Sequence, residues 1–215
     1  MNESLLIAAM VRLDEDKVLT LARHSLENGI QPLNIIEQVQ KGLSRVLQMY
    51  EQGICFLSDL MMSAEIFISV IELLKVEGGM AKQVTTRPIV VGTVKNDIHD
   101  IGKNIMVQLL RCKGFNVIDL GVDVSPERFV LAAAEYNPKL MFLSGLLTIS
   151  HQSMRLTIEA LEKSQLRGQI KIIISGLVDE EVRQFVHADY YINDSFKGLK
   201  LCQSLLTTKK KALIS

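Results

Sequence analysis

Cysteine is scarce in this sequence, and its few residues lie far apart. The three cysteines are Cys55, Cys112 and Cys202, an odd number, and no two of them form a Cys-x-x-Cys pair. They therefore provide neither a disulfide framework nor a Cys-x-x-Cys metal or redox site. We expect buried thiols in a reducing cytoplasm.

An excess of either charge is also missing. Lys+Arg and Asp+Glu residues both number 24, which gives a formal net charge of zero. Binding to nucleic acid requires a basic excess or patch, because the partner is a chain of phosphates. The basic run Lys209-Lys210-Lys211 is interpreted as a solvated tail. We therefore expect no nucleic acid partner.

Long apolar runs are absent as well. No stretch reaches the roughly 18 apolar residues that a membrane-spanning helix needs, and the first residues do not resemble a secretory signal. We expect no membrane span and a cytoplasmic location. Hydrophobic residues still make up 48% of the 215 residues, enough for the core of one large domain or two small ones.

The first third of the sequence is predicted to form a bundle of helices. Apolar residues recur three and four positions apart over residues 36–50 and again over 57–76, which is the spacing of one helix face. Asp14 and Ser58 are predicted N-caps, and Pro32 is predicted to occupy the first turn of a helix. The short connections imply antiparallel neighbours.

The sequence divides into a helical cap domain at 1–80, a linker at 81–87 and an α/β domain at 88–215. Gly78 and Gly79 precede the linker, and we expect them to act as a hinge. Strands are predicted at 88–94, 116–120, 140–144, 170–175 and 190–192, and helices at 101–112, 125–136, 150–166, 179–187 and 196–206. This alternation predicts a flavodoxin-like, doubly wound sheet of five parallel strands in the order 2-1-3-4-5.

The most informative segment runs from Gly92 to Gly102, between the first predicted strand and the helix that follows it. In a sheet of this order, ligands bind beyond the carboxyl ends of the strands, at the switch point between strands one and three. A neutral imidazole at His99 is a good transition-metal ligand there, and Asp97 can hold its other ring nitrogen. The segment 144–150 is expected at the same crevice. On these residues alone, a solvated or structural histidine stays open as the alternative.

The pattern Asp97-x-His99-x-x-Gly102 resembles the cobalamin-binding signature of corrinoid proteins and of the cobalamin module of methionine synthase. In that family the histidine replaces the cofactor's own dimethylbenzimidazole as the lower ligand of cobalt. The displaced nucleotide tail then enters a groove in the domain. The resemblance covers residues 30–207 and implies cobalamin as the cofactor, with His99 as the metal ligand.

Later motifs of the family follow in the same order. Ser144-Gly145-Leu146 corresponds to its Ser-x-Leu after strand three. Thr148 and Ser150 stand where the family has a threonine that contacts the tail and the serine that ends an Asp–His–Ser relay of hydrogen bonds. Ser175-Gly176 replaces the Gly-Gly after strand four, and the Ser175 side chain is expected to narrow the groove where the nucleotide base passes.

The cap domain and the last loop complete the implied site. The segment 53–57 resembles the cap stretch whose phenylalanine covers the upper, methyl-bearing face of the corrin. That role falls to Phe56, with Leu57 as the second candidate and with plain bundle core as the alternative for Phe56. Asn193 or Asp194 is implied to touch the nucleotide tail, with ordinary turn chemistry as the alternative. The implied cofactor-binding residues are Phe56, Asn96, Asp97, Ile98, His99, Asp100, Gly102, Ser144, Leu146, Thr148, Ser150, Ser175, Gly176 and Asp194.

The resemblance implies a corrinoid carrier with no catalytic residue of its own. A substrate-specific corrinoid methyltransferase is expected to load a methyl group onto cobalt(I). A methylcorrinoid:acceptor methyltransferase then passes the group to a folate or a thiol, and a reductive activating protein is a third implied partner. His99 is expected to bind cobalt in the methylated state and to leave it in the reduced state, when the His99–Asp97–Ser150 network takes up a proton.

Other functions are kept as alternatives. The cobalamin subunit of a carbon-skeleton mutase shares the sheet and the histidine loop but has no cap over the methyl face, which favours the carrier. A cobalamin sensor or storage protein is the next alternative. A transcriptional sensor needs a DNA-reading helix pair and a basic surface, and neither is evident in the sequence, whereas storage stays open.

Overall fold

The computed structural model of the chain describes residues 4–78 and 87–207. They fall into two compact units, one within residues 1–80 and one within 81–215. The predicted linker before Arg87, the second glycine of the predicted hinge and the basic run near the C-terminus lie outside the described residues. Among the described helices, none is both long enough and apolar enough to cross a membrane.

The first unit is helical, as its apolar spacing predicts. Its helices are α1 Leu5–Val11, α2 Glu15–Glu27, α3 Pro32–Glu51 and α4 Leu57–Gly78. Asp14 caps α2 by accepting a hydrogen bond from the N–H of Lys17 at 3.2 Å. Helix α3 begins at Pro32. Proline has no N–H, which costs nothing in the first turn because N–H groups there have no partner within the helix. Both of these sequence predictions therefore agree with the structure.

The N-cap predicted at Ser58 is wrong. Helix α4 begins at Leu57, so Phe56, two residues before Ser58, occupies the capping position. The Oδ2 atom of Asp59 accepts a hydrogen bond from the N–H of Phe56 at 2.8 Å. An acidic side chain in the first turn therefore caps this helix from inside, which is one half of a capping box.

The second unit is a parallel sheet with helices on both faces. Its strands are β1 Ile89–Thr93, β2 Val117–Asp119, β3 Leu140–Gly145, β4 Lys171–Gly176 and β5 Tyr190–Ile192. Its helices are α5 Ile101–Cys112, α6 Pro126–Tyr136, α7 Thr148–Lys163, α8 Glu180–Val186 and α9 Ser195–Thr207, with a 3-10 turn at Arg167–Gln169. The strand order is 2-1-3-4-5. The predicted fold class is confirmed.

Helix α7 differs most from its prediction. It begins at Thr148 rather than residue 150, and it ends at Lys163 rather than residue 166. Its end is set by Gln165, which has a left-handed backbone with φ of 59°. The N–H of Leu166 then reaches back to the carbonyl of Leu161 at 3.0 Å, as in a Schellman turn. Glutamine is not a typical residue for such a turn, so the sequence pattern does not predict it.

The two faces of the sheet carry different side chains at the carboxyl ends of the strands. Leu143 and Ile174 belong to the apolar cluster that packs against α6 and α7. Because neighbouring residues of a strand point to opposite faces, Ser144 and Ser175 point to the other face. The parallel register aligns these two serines with Thr93. Three hydroxyl-bearing residues therefore stand side by side at the ends of β1, β3 and β4.

Candidate functional site

The buried carboxylate of Asp97 is the centre of the loop between β1 and α5. Its side chain is 0% exposed. The Oδ1 atom accepts hydrogen bonds from the backbone N–H of His99 at 3.0 Å and from Nδ1 of its ring at 2.7 Å. The Oδ2 atom accepts from the N–H groups of Leu146 and Leu147, at 2.6 and 3.2 Å, and from the hydroxyl of Ser150 at 2.6 Å. One carboxylate thus ties the loop after β1 to the start of α7.

These hydrogen bonds decide the charge of Asp97. Burial alone would raise the pKa of the carboxyl group, because a charge is poorly solvated inside a protein. Hydrogen bonds from Ser150, His99 and Leu146 outweigh burial and hold the pKa of Asp97 well below its usual range. The group is therefore ionised at neutral pH, where a carboxylate only accepts hydrogen bonds.

The ionised carboxylate fixes the tautomer of His99. Since Asp97 can only accept, Nδ1 of the imidazole carries the proton, and the lone pair on Nε2 is available. The His99 side chain is 47% exposed, so the ring is open to a ligand. An imidazole with one nitrogen held by a carboxylate and the other open is the arrangement of a metal-ligating histidine.

His99 is the candidate metal ligand of this loop, since Nε2 of its ring is open to a ligand. Among the described residues, no group of three or more His, Cys, Asp and Glu side chains is placed to hold a metal ion. A single histidine suits a metal whose remaining positions are occupied by a macrocycle, because a corrin ring already supplies the equatorial nitrogens. The donor set therefore fits the cobalt of a corrinoid.

Several large hydrophobic side chains are exposed at the carboxyl edge of the sheet. Large hydrophobic side chains at or just beyond the strand ends are between 38% and 73% exposed. We call this set the apolar rim: Ile98, Val122, Leu146, Leu147, Ile149, Leu177 and Tyr191. Exposed apolar surface with a few fixed polar groups is typical of a ligand site. The rim fits a large ring cofactor better than a solvated ion.

Two glycines let the loops of this edge approach one another. A Cβ atom at Gly145 would lie 2.5 Å from the Cβ of Ser150, so the glycine lets α7 start close enough for Ser150 to reach Asp97. Gly176 has φ of 110°, and a Cβ there would lie 2.0 Å from the carbonyl oxygen of Gly145. Only glycine fits at that position. Sequence reasoning missed the role of Gly145, although its place inside the Ser-x-Leu motif was a usable signal.

Thr93 and Asp123, which sequence reasoning missed, form hydrogen bonds with the backbone of the loop between β1 and α5. Thr93 is fully buried, and its hydroxyl donates to the carbonyl oxygen of His99 at 3.0 Å. Asp123, on the loop after β2, accepts from the N–H of Asn96 at 2.8 Å, and its own N–H donates to the carbonyl of Asp97 at 2.9 Å. Asn96 has φ of 66°, which asparagine tolerates better than most residues.

Most of the predicted site residues come together at the carboxyl edge. They are Asn96, Asp97, Ile98, His99, Asp100, Gly102, Ser144, Leu146, Thr148, Ser150, Ser175 and Gly176. Asp194 follows β5 and caps α9 by accepting a hydrogen bond from the N–H of Lys197 at 2.8 Å, so its carboxylate takes part in turn chemistry. Phe56 belongs to the first unit, where it is 78% exposed. The bundle-core alternative for Phe56 is therefore wrong.

We expect Asp97→Asn to lower the free energy of unfolding of the second unit by roughly 3 kcal/mol, because an amide N–H would then face buried donors. The native pKa of Asp97 lies below its unfolded value of about 3.9. The ionised group therefore contributes stability above about pH 4 that is lost as the pH falls toward the native pKa. Urea unfolding of both proteins at a series of acidic pH values measures this, and the variant should lack that part of the acid dependence.

Asp179→Asn is the matched control for this prediction. Asp179 caps α8 by accepting from the N–H of Val182 at 2.9 Å, and asparagine caps helices about as well as aspartate. The free energy of unfolding of the Asp179→Asn variant should therefore stay close to that of the wild type. Equal losses in the two variants would contradict the central role of Asp97.

Both units of the chain match known B12 binding domains. The B12 binding domain family matches residues 87–197, and a second family of that description matches residues 3–75. Trimethylamine corrinoid protein 1 of Methanosarcina mazei is 33% identical over 187 residues, which cover 85% of this chain and 87% of that protein.

Solved structures show the same similarity. The monomethylamine corrinoid protein of Methanosarcina barkeri aligns with a TM-score of 0.79 and 26% identity over 94% of this chain and 97% of that one. A chain of the methanol:cobalamin methyltransferase complex of the same organism aligns with a TM-score of 0.54 and 27% identity over 94% of this chain and 78% of that one. The resemblance seen in Asp97, His99 and Gly102 is thereby confirmed at the level of the family. The chain belongs to the B12 binding domain family, and cobalamin is its cofactor.

Proposed function

We propose that this chain is a methyl-carrying corrinoid protein that binds cobalamin with the cofactor's own base displaced and His99 as the lower ligand of cobalt. We call this state His-on. The bound corrinoid supplies a cobalt atom that accepts and donates methyl groups, and the protein supplies binding, orientation and electrostatics. It is proposed to work between two methyltransferases rather than to complete a reaction alone.

The contact between the Asp97 carboxylate and Nδ1 of His99 is the observation that carries this proposal. Asp97 holds Nδ1 of the ring at 2.7 Å, and Ser150 holds the other oxygen of Asp97 at 2.6 Å. A carboxylate on the far nitrogen orients a ligating imidazole and makes it a stronger donor. Since Asp97 is buried and also bound by backbone N–H groups, the ring keeps this orientation before any ligand arrives.

We propose that the displaced nucleotide tail passes the ends of β3 and β4. Ser144 and Ser175 are aligned there on one face of the sheet, and Thr148 begins the neighbouring helix α7 at an exposed position. Their hydroxyl groups provide both donors and acceptors for a ribose phosphate. Gly176 leaves the space beside them free of a side chain, since none fits there.

Phe56 is proposed to cover the upper face of the corrin. It lies at the start of α4, next to other large apolar side chains that are more than half exposed: Ile54, Leu57, Met61 and Met62. Exposed apolar side chains grouped along a short stretch of chain are typical of an interaction site. An apolar cover would keep water away from the bound cofactor.

Three partners are proposed. A substrate-specific corrinoid methyltransferase is supported by the matched chain from the methanol:cobalamin methyltransferase complex. A methylcorrinoid:acceptor methyltransferase that uses a folate or a thiol is needed to unload the carrier. A reductive activating protein is needed to return oxidised cofactor to the cobalt(I) state.

His99→Ala tests the proposed ligand. We expect the variant to keep bound corrinoid through the tail and the apolar rim, with affinity lowered by about tenfold, or about 1.4 kcal/mol. It should lose the spectrum of a histidine-ligated corrinoid, and added imidazole should restore that spectrum. Ultraviolet–visible spectra of both proteins reconstituted with hydroxocobalamin measure this.

His24→Ala is the control for the ligand test. His24 lies on α2 and contacts Asn28 at the surface of the first unit, so its loss should leave the spectrum unchanged. An unchanged spectrum in His99→Ala would rule out His99 as the lower ligand.

Ser175→Gly tests the path of the tail. Removing the side chain should widen the groove, so we expect affinity for cobalamin to rise by about three- to tenfold, the equivalent of about 1 kcal/mol. Affinity for cobinamide, which lacks the nucleotide tail, should stay the same and serves as the internal control. Parallel titrations monitored by absorbance measure both. A change of equal size for the two corrinoids would remove Ser175 from the tail path.

A further inference from the structure

A buried lysine follows His99 in the first turn of α5. Lys103 is only 4% exposed. Its ammonium group donates to both carboxylate oxygens of Asp119, at 2.9 and 2.7 Å, and to Oδ1 of Asn104 at 2.7 Å. A charge is costly to bury, and these three contacts offset that cost.

One chain of contacts leads from this ion pair to the carbonyl group of His99. Oδ1 of Asp119 also accepts from the N–H of Gly121 at 3.0 Å. The carbonyl of Gly121 accepts from the N–H of Thr93 at 3.0 Å, and the hydroxyl of Thr93 donates to the carbonyl of His99 at 3.0 Å. Because residues 99–103 are continuous, these contacts close a ring around the loop that carries the imidazole.

A second chain of contacts is shorter. Asn104, which accepts from Lys103, donates through Nδ2 to the carboxylate of Asp100 at 3.0 Å. The N–H of Asn104 donates to the carbonyl of Asp100 at 2.7 Å. Since Asp100 directly follows His99, both chains of contacts end within one residue of the proposed ligand.

Stability alone is a poor explanation for this pair. Replacing a buried ion pair with apolar residues is often neutral or stabilising, so the pair's contribution lies in the geometry that it imposes. Lys171 and Asp189 form a pair with the same chemistry at 2.7 Å, where the Lys171 side chain is 57% exposed. That pair lies at the opposite edge of the sheet, because Lys171 begins β4.

We infer that the Lys103–Asp119 ion pair is a positioning element for His99, which holds the imidazole where Nε2 can ligate cobalt. The inference rests on the proposed role of His99. Lys103 and Asp119 act through the backbone of the loop, not by touching the imidazole. They therefore affect how often the ring is ligated rather than which atom ligates.

The test compares the wild type with Lys103→Met and with Lys103→Met/Asp119→Leu, all loaded with hydroxocobalamin. The single variant leaves the Asp119 charge without its partner, whereas the double variant removes both charges. Absorbance spectra give the His-on fraction, and circular dichroism with thermal unfolding reports the fold. We expect the His-on equilibrium constant to fall about tenfold in the double variant, with corrinoid still bound and the fold intact. In the single variant this equilibrium constant should fall by at least the same factor.

Lys171→Met is the matched control and should leave the His-on fraction unchanged. A folded double variant that ligates as well as the wild type overturns the inference, and it does so even where the single variant fails to fold. If the spectrum of His99→Ala is the same as that of the wild type, the proposed function is overturned together with this inference. The third outcome separates the two claims. If His99→Ala changes the spectrum but the double variant has the same His-on fraction as the wild type, the positioning role alone is overturned.

Discussion

The carboxyl edge of the sheet depends on one buried charge. The Asp97 carboxylate collects donors from its own loop and from the start of α7, which follow two different strands. These donors can converge only because β1 and β3 are neighbours in the order 2-1-3-4-5. Without them the buried charge would cost several kcal/mol. The charge of Asp97 therefore holds the two loops together. They can meet at this carboxylate because the strand order places β1 beside β3.

The same interaction connects the fold to the chemistry. An ionised acceptor on Nδ1 leaves Nε2 of His99 as the only ring nitrogen with a free lone pair. Gly145 permits this arrangement, because a side chain there would push Ser150 away from Asp97. The apolar rim lies at the same carboxyl edge of the sheet as this nitrogen. Such a site is suited to a cofactor that brings its own equatorial ligands and needs from the protein one axial donor and a dry, apolar support.

Much of the fold was predictable because its signals are local. Alternating strands and helices, the cap at Asp14 and the loop pattern of Asp97 and His99 are each written within a few consecutive residues. The cap at Ser58 failed because a carboxylate inside the helix does the capping. The supports of the site were not predictable, since they join residues far apart in the chain. The contact of Asn96 with Asp123 spans 27 positions, and that of Lys103 spans 16.

The most direct test of the central claim is the electron paramagnetic resonance spectrum of the protein loaded with cob(II)alamin. The protein would be made once with natural histidine and once with histidine labelled with nitrogen-15. An axial nitrogen splits each cobalt line into three when it is nitrogen-14 and into two when it is nitrogen-15. We predict that the splitting changes from triplets to doublets on labelling, because the axial nitrogen belongs to His99. Triplets that persist in the labelled protein would show that the cofactor keeps its own base, which would contradict the account.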